Sequence, residues 1–229
     1  MFFEFSEEQK AIRKLAQDFA EKWLLPTTKD DEEGHIFHKE IVAEMGKLGL
    51  LGTVLPEQYG GSNVGFLSTV LITEELARVS ASYSTYSMSQ AVGPGLTILK
   101  YGTDEQKKKY LPGLCKGEIL ACFGSTEPDV GSDVLGMNTV AVETGDHYVL
   151  NGTKAWITSG PVADMGLFFV YTDKGMREKG ISCFIVDLKN TQGISTSPYS
   201  KLGLWCTVTG EVVFNDARIP KDSLLGPRG

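Results

Sequence analysis

The chain has 229 residues, 41% hydrophobic and 22% charged, the balance of an ordinary globular protein with room for two modest domains. Its formal net charge of −7 weighs against a nucleic-acid partner, whose phosphates need a basic face. No apolar run approaches the roughly 20 residues that a helix needs to span a bilayer.

The opening Met1-Phe2-Phe3-Glu4-Phe5 has neither a basic n-region nor an apolar h-region, so a cytoplasmic protein is expected, although a processed mitochondrial matrix protein could begin the same way. Ser6-Glu7-Glu8-Gln9 then reads as a capping box, and Ile12, Leu15, Ala16, Phe19 and Trp23 form one apolar stripe that predicts a helix ending at Pro26. Lys29 to Gly34 reads as a charged linker. A second amphipathic run through Ile41, Met45 and Leu48 stops at Gly49, and Gly60-Gly61 marks a loop. A third helix is predicted over Leu67 to Val79. After a Ser-rich break at Ser80 to Ser82, a fourth runs to about Lys100, interrupted by Gly93-Pro94-Gly95. Thr103-Asp104-Glu105-Gln106 is another capping box, opening a short helix that should end near Pro112; it carries Lys107-Lys108-Lys109, which reads as a solvated face.

From about residue 119 the period changes. Short strands are predicted at Ile119 to Gly124, Val140 to Val142, His147 to Leu150, Leu167 to Tyr171, Ile181 to Asp187 and Glu211 to Phe214, with turns at Glu143 to Asp146 and Asn151-Gly152. Strands without intervening helices suggest an antiparallel barrel or sandwich. The fold class is therefore α+β: an all-helical N-terminal domain over 1–117, then an antiparallel β-barrel domain over 118–229. The ending Gly226-Pro227-Arg228-Gly229 reads as a linker cut short.

No nucleotide-binding glycine loop follows a strand, and no nucleophile elbow is present. The three histidines, His35, His38 and His147, lie in the charged linker and at a hairpin and read as surface polar residues. The four cysteines are scattered without metal-ligand spacing, so no metal site is expected and buried thiols are the plain reading. No side chains pair as nucleophile and base, which leaves any chemistry to a cofactor. Two segments stand out. In Cys122-Phe123-Gly124-Ser125-Thr126-Glu127-Pro128-Asp129-Val130-Gly131-Ser132-Asp133, a strand ends in a hydroxyl pair. A loop follows whose Gly131-Ser132 can offer backbone N–H groups to an anion. Asn151-Gly152-Thr153-Lys154-Ala155-Trp156-Ile157-Thr158 places a Trp and a Thr in a strand. Taken alone, the first is also a tight turn and the second an ordinary sheet tryptophan.

Together these segments resemble the T-E-P-x-x-G-S-D and N-G-x-K-x-W-I-T motifs of the acyl-CoA dehydrogenase family. Pro56-Glu57-Gln58-Tyr59-Gly60-Gly61, Thr73-Glu74-Glu75-Leu76-Ala77-Arg78, Tyr101 to Lys107, Gly180 to Val186 and Lys201-Leu202-Gly203 extend the likeness along the chain. The resemblance implies a helical N-terminal domain, a β-barrel middle domain and a C-terminal four-helix bundle, assembled as a homotetramer in full-length members. The cofactor implied is FAD, the substrate an acyl-CoA thioester, and the electron acceptor an electron-transfer flavoprotein. By the same resemblance, Phe123, Ser125 and Thr126 line the flavin's pyrimidine side. Gly131 and Ser132 face the pyrophosphate, with Ser132 also near the CoA pantetheine; Trp156 and Ile157 pack along the isoalloxazine, and Thr158 lies near flavin N5.

In most members the carboxylate that removes the α-proton belongs to the third domain, and no position here matches it, so no catalytic residue is assigned and the isolated chain is expected to be inactive. Ser84 stands where glutaryl-specific members carry arginine, and no Lys or Arg occurs between Arg78 and Lys100. A buried distal carboxylate would go unpaired there, which favours a neutral acyl chain over a dicarboxylic one. Trp205 stands where many members have arginine, so local FAD or subunit contacts are expected to differ. The alternatives are a non-catalytic flavin- or CoA-binding module that works through a partner chain, and a flavin oxidase or monooxygenase on the same fold.

Overall fold

In a computed structural model, which describes residues 4–229, the Ser6 hydroxyl accepts the Gln9 amide at 3.2 Å while the Gln9 side chain takes the Ser6 amide at 3.0 Å. The capping box thus opens α1 (Glu7–Phe19), which a π turn extends to Leu24. Met1–Phe3, on which part of the leader argument rests, lies outside the described residues. Further helices are α2 (Thr28–Gly34), α3 (Lys39–Lys47), α4 (Gly65–Ala77), α5 (Ala81–Gln90), α6 (Leu96–Tyr101) and α7 (Asp104–Lys116). Buried Glu75, in the Thr73 to Arg78 motif, accepts from Arg13 of α1 at 2.6 Å and from Arg78 at 2.9 Å, tying α1 to α4.

Three helical expectations are corrected. The charged stretch expected as a linker forms α2, because Asp30 and Asp31 in its first turn complement the helix dipole and Asp31 is buried; a search for apolar periodicity misses both effects. Gly93-Pro94-Gly95 is no break but part of a π turn, Ala91–Gly95, whose wider winding accommodates the proline between α5 and α6. Pro112 lies inside α7, where burial of Leu111, Leu114 and Cys115 outweighs the roughly 3 kcal/mol that an interior proline costs.

The β region contains β1 (Ala121–Gly124), β2 (Val140–Thr144), β3 (His147–Thr158), β4 (Met165–Tyr171), β5 (Ile181–Asp187), β6 (Ile194–Pro198), β7 (Thr209–Pro220) and β8 (Leu224–Leu225). They form one sheet in the order β6-β7-β3-β2-β4-β5-β8, with β1 also pairing β4. Most pairs are antiparallel, but β1 and β2 both run parallel to β4. The expected antiparallel barrel is therefore corrected to an open, mostly antiparallel sheet. Among the described residues its edges do not pair: β8 has only two residues, and β6 exposes Ser195 to Pro198, a polar, proline-ended edge that resists a further neighbour. Asn151-Gly152 is likewise not a turn. It is an irregularity inside β3, where the register on β7 shifts, and Gly152 at φ 141° approaches Thr139 so closely that a Cβ would sit 2.5 Å from its hydroxyl. Leu150, Phe168, Val170, Phe184, Val212 and Phe214 fill the core beneath the sheet.

The contacts divide the chain into two compact units. The helical one runs to Leu99 and adds Lys107–Glu118 and Lys201–Thr207; the sheet unit holds Lys100–Gln106, Ile119–Ser200 and Val208–Gly229. In the helical unit Trp205 stacks on His35, with ring centroids 3.6 Å apart, and its amide donates to Glu32 at 2.6 Å. Trp205 thus has partners of its own within the helical unit. His38 sits between Asp31 at 3.0 Å and Glu40 at 2.9 Å. Burial lowers its pKa, but the two carboxylates outweigh burial and hold it above the ordinary 6.5. A raised folded value means that this stabilisation is fully present below the ordinary histidine value and is lost as pH rises through the folded one. His38→Gln should accordingly lower the melting temperature more at about pH 5 than at about pH 9. Equal losses at both would show that His38 does not titrate against Asp31 and Glu40.

Candidate functional site

The two segments singled out in the sequence meet in the sheet unit. β1 ends at Gly124 and the chain turns at Glu127, whose amide and carbonyl both bond to Val130 and close a tight loop. β3 runs alongside, and the Ala155 amide donates to the Thr126 carbonyl at 2.9 Å, one residue before Trp156. Between Lys154 and Ile157 the register of β3 shifts again, and Trp156 takes a left-handed backbone, φ 59°. That bulge turns the indole out of the sheet, where it is 62% exposed and meets Tyr199 edge-on at 4.8 Å.

The other expected residues are carried by β1, the turn and loop that follow it, and the end of β3. Phe123 is 42% exposed and leans on Phe169 at 5.0 Å, while its neighbours Cys122 and Gly124 are buried. Ser125, Thr126 and Thr158 are half-buried, and their hydroxyls bond to no group among the described residues. Gly131 and Ser132 are exposed, and their amides likewise donate to no acceptor among the described residues. A Cβ on Gly131 would meet nothing within 4 Å. Ile157 differs from the rest: its side chain is 2% exposed in the sheet core, leaving only its backbone to face a ligand. Past Ser132, a cavity of about 330 Å³ is lined by Asp133, Leu135, Gly136, Met137, Tyr171, Lys174 and Arg177.

Two residues that join these parts went unassigned in the sequence. Lys154 is fully buried; its Nζ donates to Glu127 Oε1 at 2.9 Å and to the Ser125 carbonyl at 3.2 Å. Glu127, also buried, accepts the amides of Asn138 at 2.6 Å and Thr139 at 2.9 Å. Burial raises the Glu127 pKa, but hydrogen bonds from Thr139, Asn138 and Lys154 outweigh it and hold the carboxyl below its ordinary value. Burial pulls the Lys154 ammonium below the ordinary lysine value, against the attraction of Glu127. The signal for the pair is present in the sequence. A lysine at an inward strand position needs a buried carboxylate, and the neighbouring motif offers three acids, Glu127, Asp129 and Asp133.

A flavin ring needs apolar faces and hydrogen-bonding edges, and a pyrophosphate needs exposed amides. Phe123 and Trp156, the free hydroxyls of Ser125, Thr126 and Thr158, and the Gly131-Ser132 amides fit that demand. Among the described residues, no helix is long and apolar enough to cross a membrane.

Residues 6–118 match the acyl-CoA dehydrogenase N-terminal domain and residues 122–217 the acyl-CoA dehydrogenase middle domain. A glutaryl-CoA dehydrogenase from Desulfococcus multivorans is 40% identical over the whole chain, which covers 60% of that relative. A caffeyl-CoA reductase–Etf complex subunit from Acetobacterium woodii is 42% identical over 97% of the chain and 59% of its own length. The chain thus spans about three-fifths of the length of these relatives. Among solved structures, an acyl-CoA dehydrogenase complexed with FAD from Bacillus anthracis superposes with a TM-score of 0.89 at 38% identity, over 98% of this chain and 38% of that one. With both domain matches in chain order and the two motif segments joined at Thr126 and Ala155, the chain belongs to the acyl-CoA dehydrogenase family.

Proposed function

We propose that the chain forms the helical and flavin-binding parts of an FAD-dependent enzyme that dehydrogenates a neutral acyl-CoA thioester at its α,β positions and passes electrons to an electron-transfer flavoprotein. The observation that carries this reading is the junction of Thr126 and Ala155, which makes the hydroxyl-bearing turn and the tryptophan bulge two sides of one surface. Bound there, the flavin supplies hydride acceptance. The protein's share is to hold and to polarise. Trp156 and Phe123 offer aromatic contact, Ser125 and Thr126 meet the polar edge, and the amides of Gly131 and Ser132 meet the diphosphate. Lys174 and Arg177, lining the cavity after Ser132, suit the phosphates of a CoA tail.

The preference for a neutral acyl chain rests on Ser84. Its side chain is buried in α5 and its hydroxyl donates back to the Ala81 carbonyl at 2.8 Å, so it offers no cation to a distal carboxylate. The glutaryl-CoA dehydrogenase relative makes this a discriminating point: flavin reduction by butyryl-CoA and not by glutaryl-CoA in the full-length enzyme is the expected result, and the reverse preference overturns it. A homo-oligomer is the proposed state of the full-length enzyme, resting on the family resemblance alone.

Thr158→Val tests the site most directly. The hydroxyl has no partner to lose among the described residues, so the melting temperature should move by no more than about 2 °C. The potential of the bound flavin should shift, because a hydrogen-bond donor near the ring tunes its reduced form. An unchanged potential removes Thr158 from the site.

A further inference from the structure

We propose that the buried Lys154–Glu127 pair is the positioning element of this site, setting the spacing between the hydroxyl-bearing turn and the Trp156 bulge. The inference rests on the flavin-site reading for its functional consequence, and on geometry alone for the spacing itself. Among the described residues, the hydrogen bonds of the pair's side chains end within the two segments or at the end of the loop that joins them: Lys154 reaches the Ser125 carbonyl and Glu127, and Glu127 reaches the amides of Asn138 and Thr139. One carboxylate therefore gathers both ends of the loop that carries Gly131 and Ser132. The lysine stands at the last paired position before β3 shifts register and turns the indole outward.

A buried ion pair gains little net stability over an apolar pair of the same volume, because desolvation offsets the attraction. What charge adds is direction. An ammonium that must satisfy a carboxylate and a carbonyl together admits one arrangement, where packed methylenes admit several. The pair thereby holds Ser125 and Thr126 at a set distance from Trp156 without touching a ligand.

The test is the double variant Lys154→Met/Glu127→Gln, which removes both charges so that folding does not depend on a stranded ion; the glutamine oxygen can keep only one of the Asn138 and Thr139 amides, which Glu127 accepts on separate oxygens. Amide hydrogen exchange, the Trp156 indole N–H resonance (assigned by its loss in Trp156→Phe) and FAD titration are read on the 229-residue chain. The expected result is a melting temperature lowered by a few degrees for the one amide left without an acceptor, exchange at Ala155 faster by about tenfold or more while the rest of the sheet keeps its wild-type rates, a displaced or broadened indole signal, and FAD affinity weaker by about tenfold. Wild-type exchange at Ala155 with an unmoved indole signal overturns the proposal. So does uniformly faster exchange across the sheet with a lowered melting temperature, which marks the pair as a general support of the fold. If the wild-type chain binds no FAD and Trp156→Phe and Thr158→Val change nothing, the flavin-site reading fails, while exchange and the indole signal still decide the role of the pair.

Discussion

Glu127→Ala is expected to destabilise the protein by about 3–5 kcal/mol, because it strands the fully buried Lys154 ammonium without its counter-ion. The Asn138 and Thr139 amides lose their acceptor in the same step. In a chain of this size the loss corresponds to a melting temperature lower by roughly 6–20 °C, read by circular dichroism. Lys154→Met alone should act in the same direction, since it leaves the carboxylate buried. A drop of less than about 2 °C in both would mean that water reaches the pair. The pH dependence follows from the depressed Glu127 value. Its stabilisation is complete above the ordinary carboxylate value of 4.5 and is lost as pH falls through the lower folded one, so wild type and Glu127→Ala should converge in acid.

Gly124→Ala should be a damaging single methyl addition next to the site. A Cβ at Gly124 would lie 2.6 Å from the Phe168 ring, and one at Gly166 would lie 2.4 Å from its other edge. The ring thus fills the space that two side chains would need. It is fully buried and meets Phe214 edge-on at 5.0 Å, so it has no free direction in which to move. Overpacking of this kind costs about 1–3 kcal/mol, and the backbone shift that relieves it would displace Phe123 and Ser125 on either side. Thermal unfolding measures the cost, and Phe168→Leu in the same chain should recover part of it. Gly131→Ala, with nothing within 4 Å, is the matched control and should be silent in stability. Equal effects at the two glycines would mean that Phe168 yields more easily than its packing implies.

Much of this was legible in the amino-acid order. Both capping boxes and the change of period near residue 119 are local signals, and local chemistry decides them: Ser6 with Gln9 and Thr103 with Gln106 bond as their spacing requires. The two motif segments were also recognisable, but their junction at Thr126 and Ala155 was not, because β1 pairs with β4 and β3 with β2 and β7. What was not legible depends on partners distant in the chain. The parallel pairing of β1 with β4 and the unpaired edges of the sheet have no local pattern, and so a closed barrel was expected where an open sheet forms. Asn151-Gly152 reads as a hairpin turn by propensity, yet Asn151 bonds the amide and side chain of Asp216 across the strands, and pairing with β7 keeps the chain extended. The left-handed Trp156 is likewise invisible to propensity, because a bulge is set by the register of its neighbour and not by the residue it turns outward.

The seven residues Lys201–Thr207 lie between β6 and β7 in sequence but belong with the helices, where Trp205 meets His35 and Glu32, Cys206 takes the Tyr86 hydroxyl and Thr207 bonds Ser82. During vectorial synthesis, then, the first half of the chain cannot mature when its own last helix leaves the ribosome. Glu32, Ser82 and Tyr86 stand open to solvent, or to a chaperone, until most of the later strands have emerged. A gene cut at residue 118 would deliver the helices in that same unfinished state.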